Sequence, residues 1–319
     1  MRIVLMNKGA NCFSQYKWLI VAWLRCLRRS SAATACVLVA VVVSVPTHAG
    51  DVAPGGVIPP HAHDALHLGM ISDKPSKTIN RFLPLMTYLA EHGIPVGEII
   101  TASSIDEMID LFRLGKVDYI FESAFGAISI MDAVGAEPVL IREKKGVRDY
   151  KSAIFVPSDS PIQTISDLAG KVIAFEDPTS TSSYVLPLQL IKAAGLSVQK
   201  SDTPTPGVVS YYFSGDDYNT LVQVRKGNKA DAGGIKVSMI EGKPYFRMLD
   251  PTSVMVPRHV VVVRKGLDHT RLVTVLLNMS TDPSAKVVLK RAKTPTGFSR
   301  FEDDPKQVMD TSVRAALGL

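Results

Sequence analysis

The stretch Val172-Ile173-Ala174-Phe175-Glu176-Asp177-Pro178-Thr179-Ser180-Thr181-Ser182-Ser183-Tyr184-Val185-Leu186-Pro187 decides how the rest of the chain is read. Val172 to Phe175 is an apolar run of strand length, a polar corner follows, and a helix is predicted from about Ser183 to Ala194. Pro187 is tolerated only near a helix start, which fixes where that turn begins. Strand, corner and helix make the repeating unit of an open α/β sheet, and such sheets bind ligands at the carboxyl ends of their strands. Ser180, Thr181, Ser182 and Ser183 therefore stand at a helix N-terminus. There the first turn leaves about four N–H groups without intrahelical partners, and the macrodipole adds roughly half a positive charge. Each hydroxyl donates one hydrogen bond without a fixed charge, so hydroxyls and amides together suit a tetrahedral anion. A cluster of this kind also serves simply to cap a helix, and both readings stand at this point.

Outward from this loop, short β-like runs alternate with helical patterns, as in an α/β protein with mostly parallel sheets. Upstream, strands are predicted at Leu66–Ile71, Val96–Thr101, Tyr119–Phe121 and Pro138–Ile141. Between them, Ile79, Phe82, Leu83, Met86, Leu89 and Ala90 share one helical face that ends at Gly93. Ser104 and Glu107 form a capping box for a second helix, and Phe125–Val134 is a third. A second series runs through Ala153–Val156, the decisive loop, a strand at Val208–Phe213, a helix at Asp216–Lys226 and a strand at Ala230–Ile235. Gly115-Lys116-Val117-Asp118 in the first series is echoed by Gly227-Asn228-Lys229-Ala230-Asp231 in the second. The echo implies two similar lobes, although helix, glycine and strand is also ordinary α/β punctuation. After Val260–Val263, helices at Thr270–Met279, Ser284–Leu289 and Pro305–Leu317 finish the chain. Some of these must pack back on the first lobe, which makes the connection a hinge. The expected division is 1–49 as a signal peptide, 50–150 as the first α/β lobe, 151–255 as the second, and 256–319 as a crossover strand with C-terminal helices, part of which rejoins the first lobe.

Charge and cysteine distribution support export. The 319 residues carry 36 basic and 30 acidic side chains, but Arg2, Lys8, Lys17, Arg25, Arg28 and Arg29 precede residue 50 without one acid. The remainder is neutral, which removes the surplus of clustered cations that nucleic-acid binding needs. Arg28-Arg29, the uncharged stretch Ala32–Val45 and Thr47-His48-Ala49 read as a secretory leader, since 14 apolar residues are short of the roughly 20 in a membrane span. An uncleaved N-terminal anchor is the competing reading. Cys12, Cys26 and Cys36 all lie in the leader, so no disulfide framework or cysteine zinc site is built from the rest. His61, His63 and His67 read as a flexible lead-in to the first strand rather than a metal-binding tail. No metal and no cofactor are expected.

With Tyr150-Lys151-Ser152-Ala153-Ile154-Phe155-Val156, Asp159-Ser160-Pro161-Ile162 and Asp167-Leu168-Ala169-Gly170-Lys171 before it, the Phe175–Pro187 loop resembles the phosphate/phosphite/phosphonate-binding proteins of ABC importers. The resemblance runs from about Leu66 to Leu267. It implies a type II periplasmic-binding-protein fold, two α/β lobes with a hinge and a ligand cleft between them. It also implies that Ser180, Thr181 and Ser182 grip an oxyanion and that Tyr150 adds a hydroxyl. The first lobe would contribute near Ser72 and from Glu122-Ser123, where loop hydrogen bonding is an equal alternative. Glu122 departs from the aromatic or glycine of many relatives, and a carboxylate beside a dianion is repelled unless protonated, bridged or facing a cation. Asp216 stands where relatives often carry a histidine nearby, and it either reads a ligand amine or hydroxyl or caps its helix. The acid that serves an amino group in aminoalkylphosphonate binders is replaced around His259, which opens the ligand to oxyanions without phosphorus.

An enzyme is not expected. Gly-x-Gly-x-x-Gly, Walker, zincin and Gly-x-Ser-x-Gly patterns are absent from the sequence. Ser197-Val198-Gln199-Lys200 matches Ser-x-x-Lys, and Lys293-Thr294-Pro295-Thr296-Gly297 loosely resembles a penicillin-binding motif. Ser197 follows a helix-ending glycine in a surface loop, however, with no base in reach. A few charge-assisted hydrogen bonds at about 1.5–3 kcal/mol each reach the ~8 kcal/mol of micromolar binding after ordering costs. The expected partners are a small oxyanion and an ABC permease, with the protein a periplasmic monomer. A sensor module docking on a histidine kinase or chemoreceptor is the alternative.

Overall fold

Residues 65–319, apart from 228, are described in the computed structural model of the protein. The leader, the three cysteines, His61 and His63 lie outside the described residues. The chain first forms β1 (Leu66–Ile71), α1 (Pro75–Glu91), β2 (Val96–Ala102), α2 (Ile105–Arg113), β3 (Tyr119–Glu122), α3 (Ala124–Val134) and β4 (Glu137–Arg142). It continues with β5 (Asp149–Tyr150), β6 (Ser152–Pro157), β7 (Val172–Phe175), a π-helical turn (Thr181–Val185), α4 (Leu186–Ala193), β8 (Val198–Lys200), β9 (Val209–Phe213), α5 (Asp217–Lys226), β10 (Ala232–Lys236), β11 (Phe246–Pro251) and β12 (Val256–Pro257). β13 (Val260–Val263), α6 (Thr270–Asn278), α7 (Ala285–Arg291) and β14 (Phe298–Ser299) follow. A last helical run comprises α8 (Pro305–Val308), a second π turn (Met309–Val313) and α9 (Arg314–Leu317).

The strands build two six-stranded sheets, β14-β4-β13-β3-β1-β2 and β11-β6-β10-β7-β9-β8, and a ribbon of β5 with β12. Both sheets follow one plan. A parallel trio, β2-β1-β3 or β9-β7-β10, is followed by an antiparallel strand, β13 or β6. The antiparallel strand in each sheet is the one that arrives after the chain has crossed from the other lobe. The sequence echo is present at atomic level. Asp118 accepts from the His67 amide at 2.8 Å, and Asp231 accepts from the Val172 amide at 2.8 Å. Each aspartate thus pins the residue before its own strand, β3 or β10, to the parallel strand beside it, β1 or β7, and its carboxylate accepts from a backbone amide both times.

Burial explains the strand composition. All four valines of β13 are fully buried, because helices cover both faces of that strand. Val261 and Val263 join Leu68, Phe82 and Leu276 in an outer first-lobe cluster, while Val260 and Val262 join an inner one. The inner cluster also holds Val185 and Leu186 from the second lobe and Met309, Val313 and Leu317 from the last helical run. That run is therefore a third connection between the lobes, beside the two strands of the β5–β12 ribbon. β8 and β11 are among the strands that the sequence pattern does not announce. β8 has three residues, too few to show alternation, and β11 is a sheet edge carrying Arg247 and Asp250, the charged pattern by which edges resist further pairing.

β10 passes close beneath the decisive loop because Gly233 and Gly234 leave room for it. A Cβ on Gly234 would lie 2.8 Å from both Phe175 Cδ1 and Pro187 Cγ. Gly234→Val is expected to cost about 1–3 kcal/mol through overpacking. Urea denaturation checks it, and an unchanged midpoint contradicts this account of the packing.

Candidate functional site

The hydroxyl-rich corner folds as a wide turn for a reason visible in the sequence. Pro187 has no N–H to give the Ser183 carbonyl, and that carbonyl accepts from the Glu176 amide at 3.4 Å instead. The Ser180 carbonyl takes both the Tyr184 and Val185 amides, at 3.1 and 3.0 Å, which makes the π turn. Such turns are concentrated at functional sites. The first amides of the run, those of Thr181 and Ser182, have no acceptor within it. Ser152, fully buried in β6, donates its hydroxyl to the Ser182 carbonyl and holds the turn against the second sheet.

The three gripping residues expected from the sequence occupy different places. Ser180 caps the turn, accepting from the Ser183 amide at 3.1 Å and donating to Glu176 Oε2 at 2.7 Å. Thr181, 1% exposed, reaches the other lobe, where its Oγ1 accepts from the Phe125 amide at 2.9 Å in the first turn of α3. Ser182 Oγ accepts from the Lys236 ammonium at 3.2 Å. The Tyr150 hydroxyl, on the interlobe ribbon, lies in hydrogen-bond reach of both Thr181 and Ser182. Tyr150, Thr181 and Ser182 are thus brought together, with Ser180 beside them as a cap.

Two charged groups missed by the sequence reading organise this corner. Lys236, at the end of β10, is buried and sits 2.7 Å from Asp217 Oδ2, and Ser183 Oγ donates to Asp217 Oδ1 at 2.8 Å. Burial pushes the Asp217 carboxyl up, but Lys236 and the bonds from Lys236 and Ser183 outweigh it and leave it below the usual range. Asp216, the residue singled out from the sequence, is exposed and caps α5 through the Asn219 amide at 2.7 Å. Capping is one of the two roles open for it, and its neighbour Asp217 is the acid that reaches inward. Arg258 is the second missed cation. It is 9% exposed, its guanidinium lies 5.8 Å from the Tyr150 ring centre, and among the described residues it has no carboxylate at salt-bridge distance. Burial pushes Glu176 up, and Asp217 pushes the same way.

On the first-lobe side, Ser123 caps α3 and its amide donates to Glu122 Oε1 at 2.7 Å. Burial raises the Glu122 carboxyl, and Asp177 from the facing loop adds to the shift. Ser72 bonds Thr78 at 2.8 Å and the Lys74 amide at 3.1 Å before α1. Ser72 and Glu122 both line a first-lobe cavity of about 360 Å³. Burial, and then Lys144, hold His259 well below its usual range, and its Nε2 lies 2.9 Å from Lys144 Nζ. Thr294, in the Lys293–Gly297 segment, accepts from Arg142 Nε at 2.8 Å.

A signal for the missed residues existed. Lys236 closes the apolar strand Ala232–Lys236, and Arg258 stands just before four valines, so each is a cation at the end of a buried strand.

With this geometry in hand, residues 68–305 match a family model described as "ABC transporter, phosphonate, periplasmic substrate-binding protein". The phosphonates-binding periplasmic protein of Escherichia coli K12 is 25% identical over 255 residues, 73% of this chain and 72% of its own. XAC2383 from Xanthomonas citri, solved with chloride and with ATP, is 31% and 30% identical in the two structures. It superposes with TM-scores of 0.72 and 0.69 over 80% of this chain and 98% and 97% of its own. PhnD1 from Prochlorococcus marinus MIT 9301, solved with methylphosphonate, is 16% identical with a TM-score of 0.58 over 80% of this chain and 98% of its own. The two-lobed architecture is the type II periplasmic-binding-protein fold.

The Lys236–Asp217 pair gives a direct test. Asp217→Asn leaves a buried ammonium without its counter-charge and is expected to cost about 3–5 kcal/mol near neutral pH. Because the folded Asp217 value is depressed, its contribution is present above the unfolded value of ~3.9 and is lost as pH falls through the folded one. Urea midpoints of variant and wild type should therefore converge in acid. A constant gap from pH 7 to pH 3 contradicts this assignment.

Proposed function

Because the chain belongs to the periplasmic substrate-binding family of ABC phosphonate transporters, we propose that it captures a phosphorus oxyanion between its lobes and presents it to a membrane permease. The family is one of solute carriers, and no bond of the ligand is made or broken. The observation that carries the reading is the contact of Thr181 Oγ1 with the Phe125 amide, 2.9 Å apart. A hydroxyl of one lobe meets the N-terminus of an 11-residue helix of the other, where oxyanions are favoured.

An anion entering this contact accepts from the Phe125 amide in place of Thr181, and the hydroxyl rotates to donate to the anion as well. Ser182 and Tyr150 supply two further hydroxyl donors within reach. Arg258 supplies positive charge with no carboxylate at salt-bridge distance among the described residues, although Asp217 and Glu176 lie within electrostatic range, and charge-assisted hydrogen bonds are about twice as strong as neutral ones. Burial pushes Glu176 and Glu122 up, which lessens the repulsion that two carboxylates would set against an anion. Methylphosphonate in one relative and ATP in another share a tetrahedral phosphorus with several anionic oxygens, the element this corner is suited to hold. Closure of the lobes removes water and creates the surface that a permease reads.

Residues 1–49 act as the export leader, and the mature protein works as a monomer in the periplasm. N-terminal sequencing of the periplasmic form is expected to begin near Gly50, and a chain recovered only in the membrane with its leader attached contradicts this. The ligand reading is tested with phosphate, phosphite, methylphosphonate and sulfate in thermal melts. At ~100 times Kd, a ligand stabilises by about 2.7 kcal/mol. For a chain of this size that is a rise of roughly 5–10 °C in Tm. Thr181→Val with Ser182→Ala should abolish the rise while the protein alone still melts cooperatively. A rise that survives both changes means that the anion sits elsewhere.

A further inference from the structure

The cavity that Ser72 and Glu122 line is strongly basic. Lys74, Lys77, Arg81, Arg142, Lys144 and Lys293 surround it, against Asp73 and Glu122 as its acids among the described residues. These cations come from the β1–α1 loop, α1, the end of β4, the loop after it and the loop after α7. They converge in space while being far apart in sequence.

Their charges are poorly balanced by the protein itself. Arg142 is 3% exposed, yet it bonds the Thr294 hydroxyl and the Ala292 carbonyl and lies over the Phe82 and Phe121 rings, all neutral groups. Lys144 bonds the His259 ring, whose charging burial disfavours. Among the described residues, Lys77, Arg81, Arg142, Lys144 and Lys293 make no salt bridge, and only Lys74 has one, with Asp73. The crowding is felt electrostatically. Arg142 is pulled down to about 9 by burial and then by Arg81. Lys144 is pulled to about 7 by burial and then by Arg142, and Lys293 is lowered by Arg81 first. A buried cation without a counter-charge is a cost to the folded state that an anion relieves.

The cavity adjoins the oxyanion corner. Glu122 lines the cavity and bonds the Ser123 amide at the start of α3, whose Phe125 amide meets Thr181. Lys144 is within electrostatic range of Arg258 and Lys236 in the corner. At about 360 Å³ the cavity is itself within the size range of small-molecule pockets, ~300–1,000 Å³.

We propose that this first-lobe cavity is a second anion subsite of the cleft, and that the ligand carries two or more linked phosphoryl groups, one held at the Thr181 corner and the next among Arg81, Arg142, Lys144 and Lys293. The inference rests on the oxyanion reading of the corner and extends it from one charged centre to a chain of them. Arg81 and Arg142 present guanidinium groups, which match phosphoryl oxygens in geometry as well as charge.

Isothermal titration of the full mature chain with orthophosphate, methylphosphonate, pyrophosphate and tripolyphosphate at constant ionic strength tests it. Pyrophosphate or tripolyphosphate is expected to bind at least about tenfold more tightly than orthophosphate, the gain of one or two charge-assisted hydrogen bonds. Arg81→Gln with Lys293→Gln should reduce that ratio about tenfold. Lys192→Gln with Lys226→Gln, the same charge change on the exposed face of the second lobe, should leave it unaltered. Methylphosphonate or orthophosphate binding with no preference for the linked phosphates overturns the subsite and leaves the corner reading intact. Linked phosphates that bind while orthophosphate, methylphosphonate and the Thr181–Ser182 substitutions have no effect overturn the corner reading instead. A ratio lowered equally by the control pair shows general attraction of polyanions and also overturns the proposal.

Discussion

The ammonium of Lys236 is buried beneath the hydroxyl-rich turn with one carboxylate, Asp217, 2.7 Å away. Taking both charges out of water costs several kcal/mol per ion, and their attraction offsets this only with good geometry and further hydrogen bonds. Ser182 and Ser183 supply those bonds, one to each ion. The pair therefore constrains the turn. Each serine must point down to satisfy a buried ion, and Thr181, between Ser180 and this pair, is left to face the other lobe.

The fold was largely legible because its signals are local. The helical faces of α1 and α2, the valine run of β13 and the glycines closing each helix follow from side-chain period and backbone geometry over a few residues. The echo of Gly115–Asp118 in 227–231 was weak as a pattern, yet it marks a shared physical device, an aspartate bonded to the parallel strand beside its own. What escaped reading was non-local. β8 and β11 are strands only because a neighbouring edge offers them a ladder. The final helix widens at Met309–Val313, where its buried face turns from α3 toward α4.

The site was legible by half for a related reason. Ser180, Thr181 and Ser182 announce themselves by crowding at one helix start, and Tyr150 by its place in the motif that carries the family resemblance. Their division of labour is not visible in that spacing. It depends on Glu176, which holds Ser180, and on Lys236, which lies 54 residues from the serine it meets. Arg258 and Arg142 were hidden similarly. A cation at the end of an apolar strand is a common surface feature, and only the packing of two sheets around a hinge makes it an interior one.

Neutral hydroxyls and buried cations answer different demands in such a cleft. Hydroxyls rotate, so on the proposed reading Thr181, an acceptor for the Phe125 amide while the lobes touch, would become a donor once an anion lies between them. They tolerate both states at little cost, which a fixed charge does not. Cations supply the attraction, but each one left unbalanced weakens the protein that carries it. Pairing Lys236 with Asp217 removes one such burden, whereas Arg258 has no carboxylate at salt-bridge distance among the described residues. Selectivity then follows from arithmetic of charge rather than from shape alone. On the proposed reading a ligand would need enough negative charge to answer Arg258 and enough acceptor oxygens to engage the amide and hydroxyls at once, and a halide or a monocarboxylate would meet only part of that demand.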